Sequence, residues 1–354
     1  METASVGVVI VAFNSGQEVV DCAASVMGAA AAAGLGLRVV VVDNASTDDT
    51  VARLADWAAG TALPCPAEAL PFAIPPLAAP PGLAEGGPGM APRPEAPLAL
   101  IRTGANRGFA GGVNAGLAYL AQMPGIAHFW VLNPDSVVPP ESLAALKARL
   151  ETGAPYGLMG GRVTYLDPPD MIQIDGGGRV NRRTGVTVNC GLGASHAATP
   201  PARAQEMDFI MGANVIASRA FYEAVGPMRE EYFLYYEEVD WAMRRGALPL
   251  DYCAGLRVYH LAGTAIGSPT LAKLASPFSL YFKHRGRMMF LRRFLPGARL
   301  TGYGYSLAYA ARCLIRDRSP QAAAAVLRGA FGLNPPQAVR DRLGPEACRI
   351  AFGA

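Results

Sequence analysis

Continuous apolar runs alternate with helix-like stretches at the start of the chain. Val6 to Phe13 and Leu37 to Val42 are rich in valine, a pattern typical of strands buried on both faces of a parallel sheet. Gln17 to Ala33, between them, is rich in alanine and lacks proline, so it is predicted to be the crossover helix. The three segments predict a β-α-β unit.

The alternation continues toward the C-terminus. Ser46 to Ala59 is predicted to be helical, because Ser-Thr-Asp-Asp-Thr supplies oxygens for the free amides of a first turn. Residues 157–220 mix short strands with glycine turns, as expected where a parallel sheet passes into an antiparallel extension. Further predicted strands are Leu98–Arg102 and His128–Leu132; further predicted helices are Ala110–Gln122, Pro140–Leu150, Ser218–Val225, Glu237–Arg245 and those after Pro277.

Together these elements predict an α/β domain with a mixed, mainly parallel sheet over residues 1–267, followed by a helical region over 268–354. The stretch 60–97 interrupts the pattern with proline, glycine and alanine. It carries almost no charge and few large apolar groups, so we expect a mobile insert without catalytic residues, although a role as a lid stays open.

Composition narrows the class of protein. The chain has 354 residues, 51% hydrophobic and 17% charged, which is enough to bury one large core. Its six cysteines are scattered and form no CxxC pair, so neither a zinc site nor a disulfide framework is indicated and a reducing, cytoplasmic location fits. The first apolar run lacks a basic n-region and a cleavage site, so it is predicted to be a strand and not a signal peptide. No uninterrupted apolar stretch reaches the roughly 18 to 20 residues that a membrane-spanning helix needs.

Positive charge is concentrated in one segment. Leu271 to Arg318 contains ten basic residues and a single acid, Asp317, although the net charge of the whole chain is only +3. Such a basic segment with interspersed aromatic residues suits an anionic lipid surface or a diphosphate-bearing acceptor. A solvated helical face is the alternative.

Polar residues close each predicted strand. In open α/β sheets, ligands bind beyond the carboxyl ends of the strands, so Phe13-Asn14 and Asp43-Asn44 are candidates for a nucleotide site. Asp43 can accept hydrogen bonds from a base or a ribose, and Phe13 can stack on the base. Asp43 can equally begin the turn that caps the next helix.

A glycine-rich segment follows the third strand. Asn106, Arg107, Gly108, Gly112 and Asn114 lie where a loop enters a helix, which allows the backbone to approach phosphate oxygens, and Arg107 can add a bidentate contact. No Gly-Lys-Ser/Thr follows, so this is not a Walker loop.

Asp135 ends the fourth strand and is a candidate ligand for a cation that bridges a diphosphate. The alternative is that it opens the turn before Pro139-Pro140. A lone histidine is more often a core residue than a ligand, so His260 gains weight as a second ligand only if it meets Asp135 in space.

The segment from Phe233 to Trp241 contains three carboxylates, Glu237, Glu238 and Asp240, among aromatic residues. Carboxylates so close together repel one another, so at least one pKa is expected to be raised, as a general base requires. The alternative is a helix whose first-turn acids favour the dipole.

Taken in order, these segments resemble glycosyltransferase family 2, in particular its rhamnosyltransferase-like and galactofuranosyltransferase-like members. The resemblance covers about residues 6–267. The matching marks are Val-Ala-Phe-Asn (11–14), Val-Asp-Asn-Ala-Ser-Thr-Asp (42–48), Asn-Arg-Gly-Phe-Ala-Gly-Gly-Val-Asn (106–114), Leu-Asn-Pro-Asp (132–135), Met-Gly-Ala-Asn (211–214), Tyr-Tyr-Glu-Glu-Val-Asp-Trp (235–241) and His260.

The resemblance implies a GT-A fold, an inverting displacement and a divalent cation, Mg²⁺ or Mn²⁺. It implies that Asp43 holds the nucleoside, and that Asn133-Pro134-Asp135 stands at the family's Asp-x-Asp motif. Asp135 and His260 are then the metal ligands and Glu238 the base. The remaining implied contacts are on the acceptor side, at Gly212, Ala213, Asn214 and Trp241.

Two departures bear on these roles. The family motif usually reads Glu-Asp where this chain has Glu237-Glu238, so Asp240 and Glu237 stand as substitutes for the base. The metal motif opens with Asn133, so Asp135 alone supplies charge there.

The expected function is transfer of a sugar from a nucleoside diphosphate sugar, with dTDP-rhamnose as the first candidate, to a glycan or polyprenyl-diphosphate-linked acceptor in cell-envelope synthesis. The expected location is cytoplasmic, with the basic segment on the inner membrane face. We expect no nucleic-acid partner, and a homo-oligomer stays open. The alternatives are a sugar nucleotidyltransferase and a non-catalytic, nucleotide-binding scaffold at the membrane.

Overall fold

The valine-rich runs form the centre of a ten-stranded sheet in the computed structural model, which describes residues 5–93, 95–261 and 275–353. The predicted elements lie within four residues of their expected bounds. The strands are β1 (Val6–Ala12), β2 (Leu37–Asp43), β3 (Ala84–Gly86), β4 (Leu98–Arg102), β5 (His128–Leu132), β6 (Ser136–Val137), β7 (Leu158–Tyr165), β8 (Ile172–Asp175), β9 (Gly177–Val180), β10 (Thr187–Asn189), β11 (Phe209–Ile210), β12 (Asn214–Ser218) and β13 (Leu250–His260).

Helices cover the sheet and form the C-terminal region. They are α1 (Gly16–Ala33), α2 (Thr50–Ala58), α3 (Gly108–Ala121), α4 (Pro140–Glu151), α5 (Arg219–Val225), α6 (Glu237–Met243), α7 (Pro277–Phe294), α8 (Arg299–Ile315), α9 (Pro320–Phe331) and α10 (Gln337–Phe352), the last of them broken at Gly344. The predicted domain boundary at residue 267 lies outside the described residues.

The sheet order is β3-β4-β2-β1-β5-β12-β7-β13-β6, with β8 beside β7. The strands from β3 to β5 run parallel to one another, whereas β12 runs antiparallel to both of its neighbours. Ala12 is in register with Asp43, and Asp43 with Arg102, so the carboxyl ends of these strands share one edge. The predicted α/β class is confirmed.

Alternate residues of the central strands enter two apolar cores. Val8 and Ile10 pack with α1 and α4 on one face, and Val9 and Val11 pack with α3 and α6 on the other. Burial on both faces explains the unbroken valine runs, because neither face meets water.

Helix α2 begins at Thr50, four residues after the predicted Ser46. Residues 43–47 form a turn instead, in which Asp43 Oδ1 accepts from Ser46 N (3.0 Å) and Asn14 Oδ1 accepts from Thr47 N (2.8 Å). Asp48 Oδ1 then accepts from the Thr50 amide (3.1 Å) at the start of the helix.

The insert 60–97 packs on the domain and supplies its edge strand. Residues Ala84–Gly86 pair in parallel with β4, and Ile74 and Leu77 contact the core under α1. Close packing at Gly28 of α1 brings the Pro75 carbonyl to the place where a side chain would stand. Parts of the insert thus belong to the sheet and to one core.

In the C-terminal region, α7, α8 and α9 pack on one another and enclose an aromatic core around Tyr281 and Phe282. Phe233, which precedes α6, joins this core, so the region contacts the sheet domain beside the acidic segment. Within the described residues, no helix is both long enough and apolar enough to cross a membrane.

The packing of the insert predicts that Gly28→Ala destabilises the protein, although glycine-to-alanine changes inside helices usually stabilise. A Cβ at Gly28 would stand 2.2 Å from Pro75 O, whereas a Cβ at Gly304 in α8 would have no atom of the described residues within 4 Å. Gly28→Ala should lower the free energy of unfolding by about 1–3 kcal/mol, the usual cost of overpacking. Gly304→Ala, the matched control, should raise it by about 0.5–1 kcal/mol through helix propensity. Urea denaturation measures both, and equal stabilisation by the two substitutions would contradict the docking of the insert.

Candidate active site

Two loops meet at the edge where β5 ends and β12 begins. Asn133 N donates to Ala213 O (3.3 Å), which joins the Asp135 loop to the segment 211–213. A Cβ on Gly212 would lie 3.7 Å from Cβ of Glu238. Asp135 and Glu238, about a hundred residues apart in the chain, are therefore linked through one short segment on the same side of the sheet.

Asp135 and His260 form a carboxylate–imidazole pair. Strands β6 and β13 place them together, because His260 is in register with Ser136 and Leu261 N donates to Asp135 O (3.0 Å). His260 Nε2 lies 3.0 Å from Asp135 Oδ1 and 3.1 Å from Asn133 Nδ2. His260 thus lies next to Asp135, which was the condition for considering it a second metal ligand.

Gln173, which no sequence motif marks, orients this histidine. His260 Nδ1 lies 2.7 Å from Gln173 Oε1, and since an amide oxygen only accepts, Nδ1 carries the hydrogen. The lone pair of neutral His260 is then on Nε2, which faces Asp135 and can bind a metal.

A carboxylate and an imidazole suit Mg²⁺ or Mn²⁺ only if oxygen ligands complete the shell, as a diphosphate and water do. In the described part of the chain, no group of three or more His, Cys, Asp or Glu side chains is arranged to hold a metal ion. The donor set therefore fits a cation shared with a diphosphate.

At the ends of β1 and β2, polar side chains tie the two loops together. Asp43 is buried, and its Oδ1 accepts from Ser46 N. This oxygen therefore stabilises the turn before α2, as the alternative interpretation of Asp43 expected. Asn14 is exposed and adopts a left-handed backbone (φ 50°) that lets its side chain reach Thr47. Phe13, half-buried, is next to it.

The glycine-rich segment is held by the protein itself. Buried Asn44 donates to Gly108 O (2.9 Å) and accepts from Arg107 N (3.0 Å), while Asn106 Oδ1 accepts from Gly108 N (2.9 Å). Phe109 N donates to Phe233 O (2.8 Å), so this first-turn amide already has a partner. Asn44 and Asn106 thus brace the loop.

Two other residues of the segment serve packing. A Cβ on Gly112 would stand 2.5 Å from Val11 of β1, so this glycine permits close helix-sheet contact. Asn114 exchanges hydrogen bonds with the backbone of Met228.

Arg107 pairs with Glu230 (3.1 Å) at the surface, where its guanidinium is accessible to a ligand.

The backbone before α6 is strained. Phe233, Tyr235 and Tyr236 all have left-handed φ angles of 63°, 66° and 75°, which cost bulky residues about 1–3 kcal/mol each. Gly108 packs against this strained segment, and only glycine fits there, since a Cβ at Gly108 would lie 2.2 Å from Phe233 O. The strained segment delivers Glu237 and Glu238 to the start of α6.

Both glutamates are held in unfavourable surroundings for charge. Burial raises the pKa of Glu237, and the neighbouring Glu238 raises it further. Burial also raises the pKa of Glu238, opposed by the backbone amides of Glu238 and Val239 and by Lys283. Glu237 Oε2 and Glu238 Oε2 are both buried and have no hydrogen-bond partner among the described residues. Glu237 is enclosed, whereas Glu238 lines a cavity, which favours Glu238 as the base.

Asp240 does not serve as a substitute base. It is fully buried, its Oδ1 lies 2.7 Å from Arg244 Nε and 3.3 Å from Arg229 Nε, and its Oδ2 accepts from Tyr232. Two guanidinium groups hold this carboxylate, so it is a structural anion.

Two acceptor-side predictions also fall on core residues. Trp241 is fully buried, packs edge-on against Phe221 and donates to Gly226 O (2.8 Å), so it offers no ring face to a sugar. Asn214 is fully buried and accepts from Trp130 Nε1 (2.9 Å). Gly212 and Ala213, beside Glu238 and Asn133, are still candidates for the acceptor side.

No protein-family model matches the chain, and no curated protein matches it. Among solved structures, the chain is similar to the mannosyltransferase PcManGT from Pyrobaculum calidifontis, solved with GDP-Man and Mn²⁺, at 14% identity and a TM-score of 0.50, over 94% of this chain and 76% of that one. It is also similar to GalNAc-T7, solved with UDP, GalNAc and Mn²⁺, at 12% identity and a TM-score of 0.51, over 90% of this chain. This chain spans about half, 54%, of the length of GalNAc-T7. The predicted GT-A fold is thus confirmed.

The raised pKa of Glu238 predicts a pH-dependent gain in stability on neutralisation. Because its folded pKa lies above that of an unfolded glutamate, about 4.3, Glu238 costs the protein stability as pH rises through the folded pKa. Glu238→Gln should raise the free energy of unfolding at pH 8 by about 0.5–2 kcal/mol, with a smaller gain at pH 5. Urea denaturation at both pH values measures this.

The control for this comparison is Glu223→Gln, which changes an exposed glutamate and should shift stability by less than about 0.5 kcal/mol at either pH. A gain for Glu238→Gln that is equal at pH 5 and pH 8 would contradict the unfavourable burial of its charge.

Proposed function

We propose that this chain is a metal-dependent, inverting glycosyltransferase that moves a sugar from a nucleoside diphosphate sugar to an acceptor hydroxyl. The observation that carries the proposal is the Asp135–His260 pair, on the same edge of the sheet as Glu238, whose Oε2 has no hydrogen-bond partner within residues 5–93, 95–261 and 275–353. A cation site beside a poised carboxylate is what this reaction needs, since a diphosphate must leave while a hydroxyl loses its proton.

In the donor half of the site, Asp135 and His260 Nε2 would hold the divalent cation, Mg²⁺ or Mn²⁺. The bound cation supplies Lewis-acid stabilisation to the departing diphosphate. Gln173 keeps His260 in the tautomer that presents Nε2. Phe13, Asn14 and Asp43, at the ends of β1 and β2, would contact the nucleoside, and Arg107 would contact the phosphates.

In the acceptor half, Glu238 would take the hydroxyl proton as the bond to the anomeric carbon forms. Burial raises the pKa of Glu238 and so favours its protonated form, and no group in the described part of the chain hydrogen-bonds to Oε2. A side chain at Gly212 would contact both Phe109 (3.3 Å) and Cβ of Glu238 (3.7 Å), so the glycine keeps this approach to Glu238 clear.

For the finer identity, we propose a family 2 enzyme of the rhamnosyltransferase-like or galactofuranosyltransferase-like type, with dTDP-rhamnose as the first donor to test. The proposed acceptor is a glycan or a polyprenyl-diphosphate-linked glycan of the cell envelope. The support is the ordered set of short motifs, from Val-Ala-Phe-Asn at 11–14 to His260.

The role of Glu238 predicts a large loss of turnover with donor binding retained. Once a panel of nucleoside diphosphate sugars with Mn²⁺ has identified the donor by thermal shift, Glu238→Gln should lower kcat about 100- to 10,000-fold. Its donor affinity should stay within a few-fold of wild type, because Glu238 contacts the acceptor side. Radiolabelled transfer measures kcat, and calorimetry measures affinity.

Glu238→Asp and Glu223→Gln complete this experiment. The exposed Glu223 should be replaceable without loss of rate. Nucleotide binding without turnover in the wild type, Glu238→Asp and Glu238→Gln alike would instead favour the non-catalytic scaffold. Release of pyrophosphate from a nucleoside triphosphate and a sugar phosphate would favour the nucleotidyltransferase.

We also propose that the enzyme works at an anionic membrane surface, docked through α8. This helix exposes an apolar stripe at heptad spacing, Leu300, Leu307 and Leu314, with exposure of 84%, 52% and 50%. Exposed Arg299 and Arg316 flank it at the two ends. An apolar stripe with flanking cations is typical of a helix that lies in a membrane interface.

Vesicle flotation tests this docking. Binding should be stronger with anionic lipid than without, and the double change Arg299→Gln/Arg316→Gln should weaken binding to anionic vesicles about 10- to 30-fold, at about 1 kcal/mol per arginine. Leu300→Ser/Leu307→Ser should weaken binding to both kinds of vesicle. Leu63→Ser, at an exposed leucine of the insert, is the control and should change neither. Equal flotation with and without anionic lipid would end the proposal.

A further inference from the structure

A cavity of ≈ 230 Å³ opens beside Glu238, where α6 meets the C-terminal helices. Helix α7 contributes Lys283 and Arg287 to its wall, and α8 contributes Tyr305 and Tyr309. Glu238 is the one carboxylate among the described residues that line it. The wall therefore combines cations and phenol rings around a single acid.

Lys283 is a half-buried cation that contacts no anionic side chain of the described residues. Burial lowers the pKa of its ammonium group, while Glu238 raises it. Nζ stands 5.0 Å from the centre of the Tyr235 ring, and no carboxylate of the described residues comes within 4.0 Å of it. An ammonium group held this way has hydrogen-bonding capacity left for a ligand.

The other cation adds to the positive field of the wall. Arg287 donates to Thr184 O (2.9 Å) and contacts Ser306, so its position is fixed by the protein. His284 is neutral near pH 7, because burial and then Arg287 lower its pKa to about 3. With two cations facing one carboxylate, an anionic ligand would complete the charge of the cavity.

Glu238 and Lys283 leave room between them. They line the same cavity and interact electrostatically, yet they form no ion pair within 4.0 Å, and Glu238 Oε2 has no partner among the described residues. A ligand that carries a hydroxyl at one end and an anion at the other can satisfy both groups.

On the basis of the proposed function, we propose that this cavity binds the acceptor through a phosphate or diphosphate group held by Lys283, with the acceptor hydroxyl at Glu238. The phenol rings of Tyr305 and Tyr309 form the adjoining wall on α8, the helix that also carries the exposed leucine stripe. The acceptor anion is thus assigned to a site built by the C-terminal helices and separate from the Asp135–His260 pair.

Titration with inorganic pyrophosphate tests this assignment. In EDTA, where no divalent cation recruits the anion to Asp135, calorimetry on the full chain should detect binding by wild type. Lys283→Met should weaken that binding about 10- to 100-fold, since a charge-assisted hydrogen bond is lost. Lys283→Arg should restore most of the affinity, and thermal unfolding shows that each variant is folded.

Arg183→Met is the matched control, because Arg183 is an exposed cation that lines no part of the cavity. It should leave pyrophosphate affinity within about 2-fold of wild type, the size expected for a screened surface charge. The assignment is overturned if wild type does not bind pyrophosphate, if Lys283→Met binds as well as wild type, or if Arg183→Met weakens binding equally.

Two further arms identify the source of the anion and separate this inference from the proposed function. The first arm uses vesicles of uncharged bulk lipid that contain a small fraction of polyprenyl diphosphate. If they retain wild type but release Lys283→Met, the anion is lipid-linked. If pyrophosphate binding depends on Lys283 but such vesicles do not retain the enzyme, the anion belongs to a free phosphorylated glycan. Lys283→Met should still bind the donor nucleotide with Mn²⁺ as wild type does. Absence of donor binding in wild type would refute the proposed function, whatever pyrophosphate does.

Discussion

Burial of the central strands on both faces decides where polar chemistry can occur in this protein. Val8 and Val9, neighbours in β1, enter opposite cores, so no side chain along the strand meets water. Polar groups are confined to the residues after each strand, and the parallel register gathers those residues at one edge. The nucleotide-side turn, the cation pair and the acidic helix all depend on this constraint.

The second constraint is the cost of burying Oε2 of Glu237 and Oε2 of Glu238, neither of which has a hydrogen-bond partner in the part of the chain that the structure describes. Such groups persist only where packing elsewhere holds them. Here the backbone of Phe233 provides part of that support, because its carbonyl accepts from Phe109 N and its ring stacks on Phe282. The sheet domain and the C-terminal helices thus jointly hold the segment that precedes the glutamates.

Much of the fold follows from local pattern. Two-sided burial gives β1 and β2 their valine runs, and the absence of proline marks α1, so the β-α-β unit was predictable to within a few residues. The start of α2 was misplaced because Ser46 and Thr47 bond to Asn14 across the edge, a contact between segments that local sequence does not encode. The packing of the insert against Gly28 is likewise not encoded in local sequence, since it depends on tertiary structure.

At the candidate site, the sequence indicates which residues have suitable side-chain chemistry, but it does not indicate which of them are buried in the core. The sequence alone cannot show that Asp135 and His260 meet, because the contact depends on the pairing of β6 with β13. Gln173 carried no signal, because an isolated glutamine in a strand resembles any other polar position. Trp241, by contrast, stood in a conspicuous motif but belongs to the core, since an aromatic residue near an active site can serve either packing or recognition.

The short strands at the margins of the sheet have a consequence for association between copies. β3 has three residues and carries Glu85, paired with Arg102, while β6 at the other end of the sheet order has two residues. A free margin of a sheet recruits strands from other molecules in proportion to the backbone groups it leaves open. Because the proline-rich insert pairs β4 with so short a strand, few backbone groups stay open to another molecule at that margin of the parallel strands.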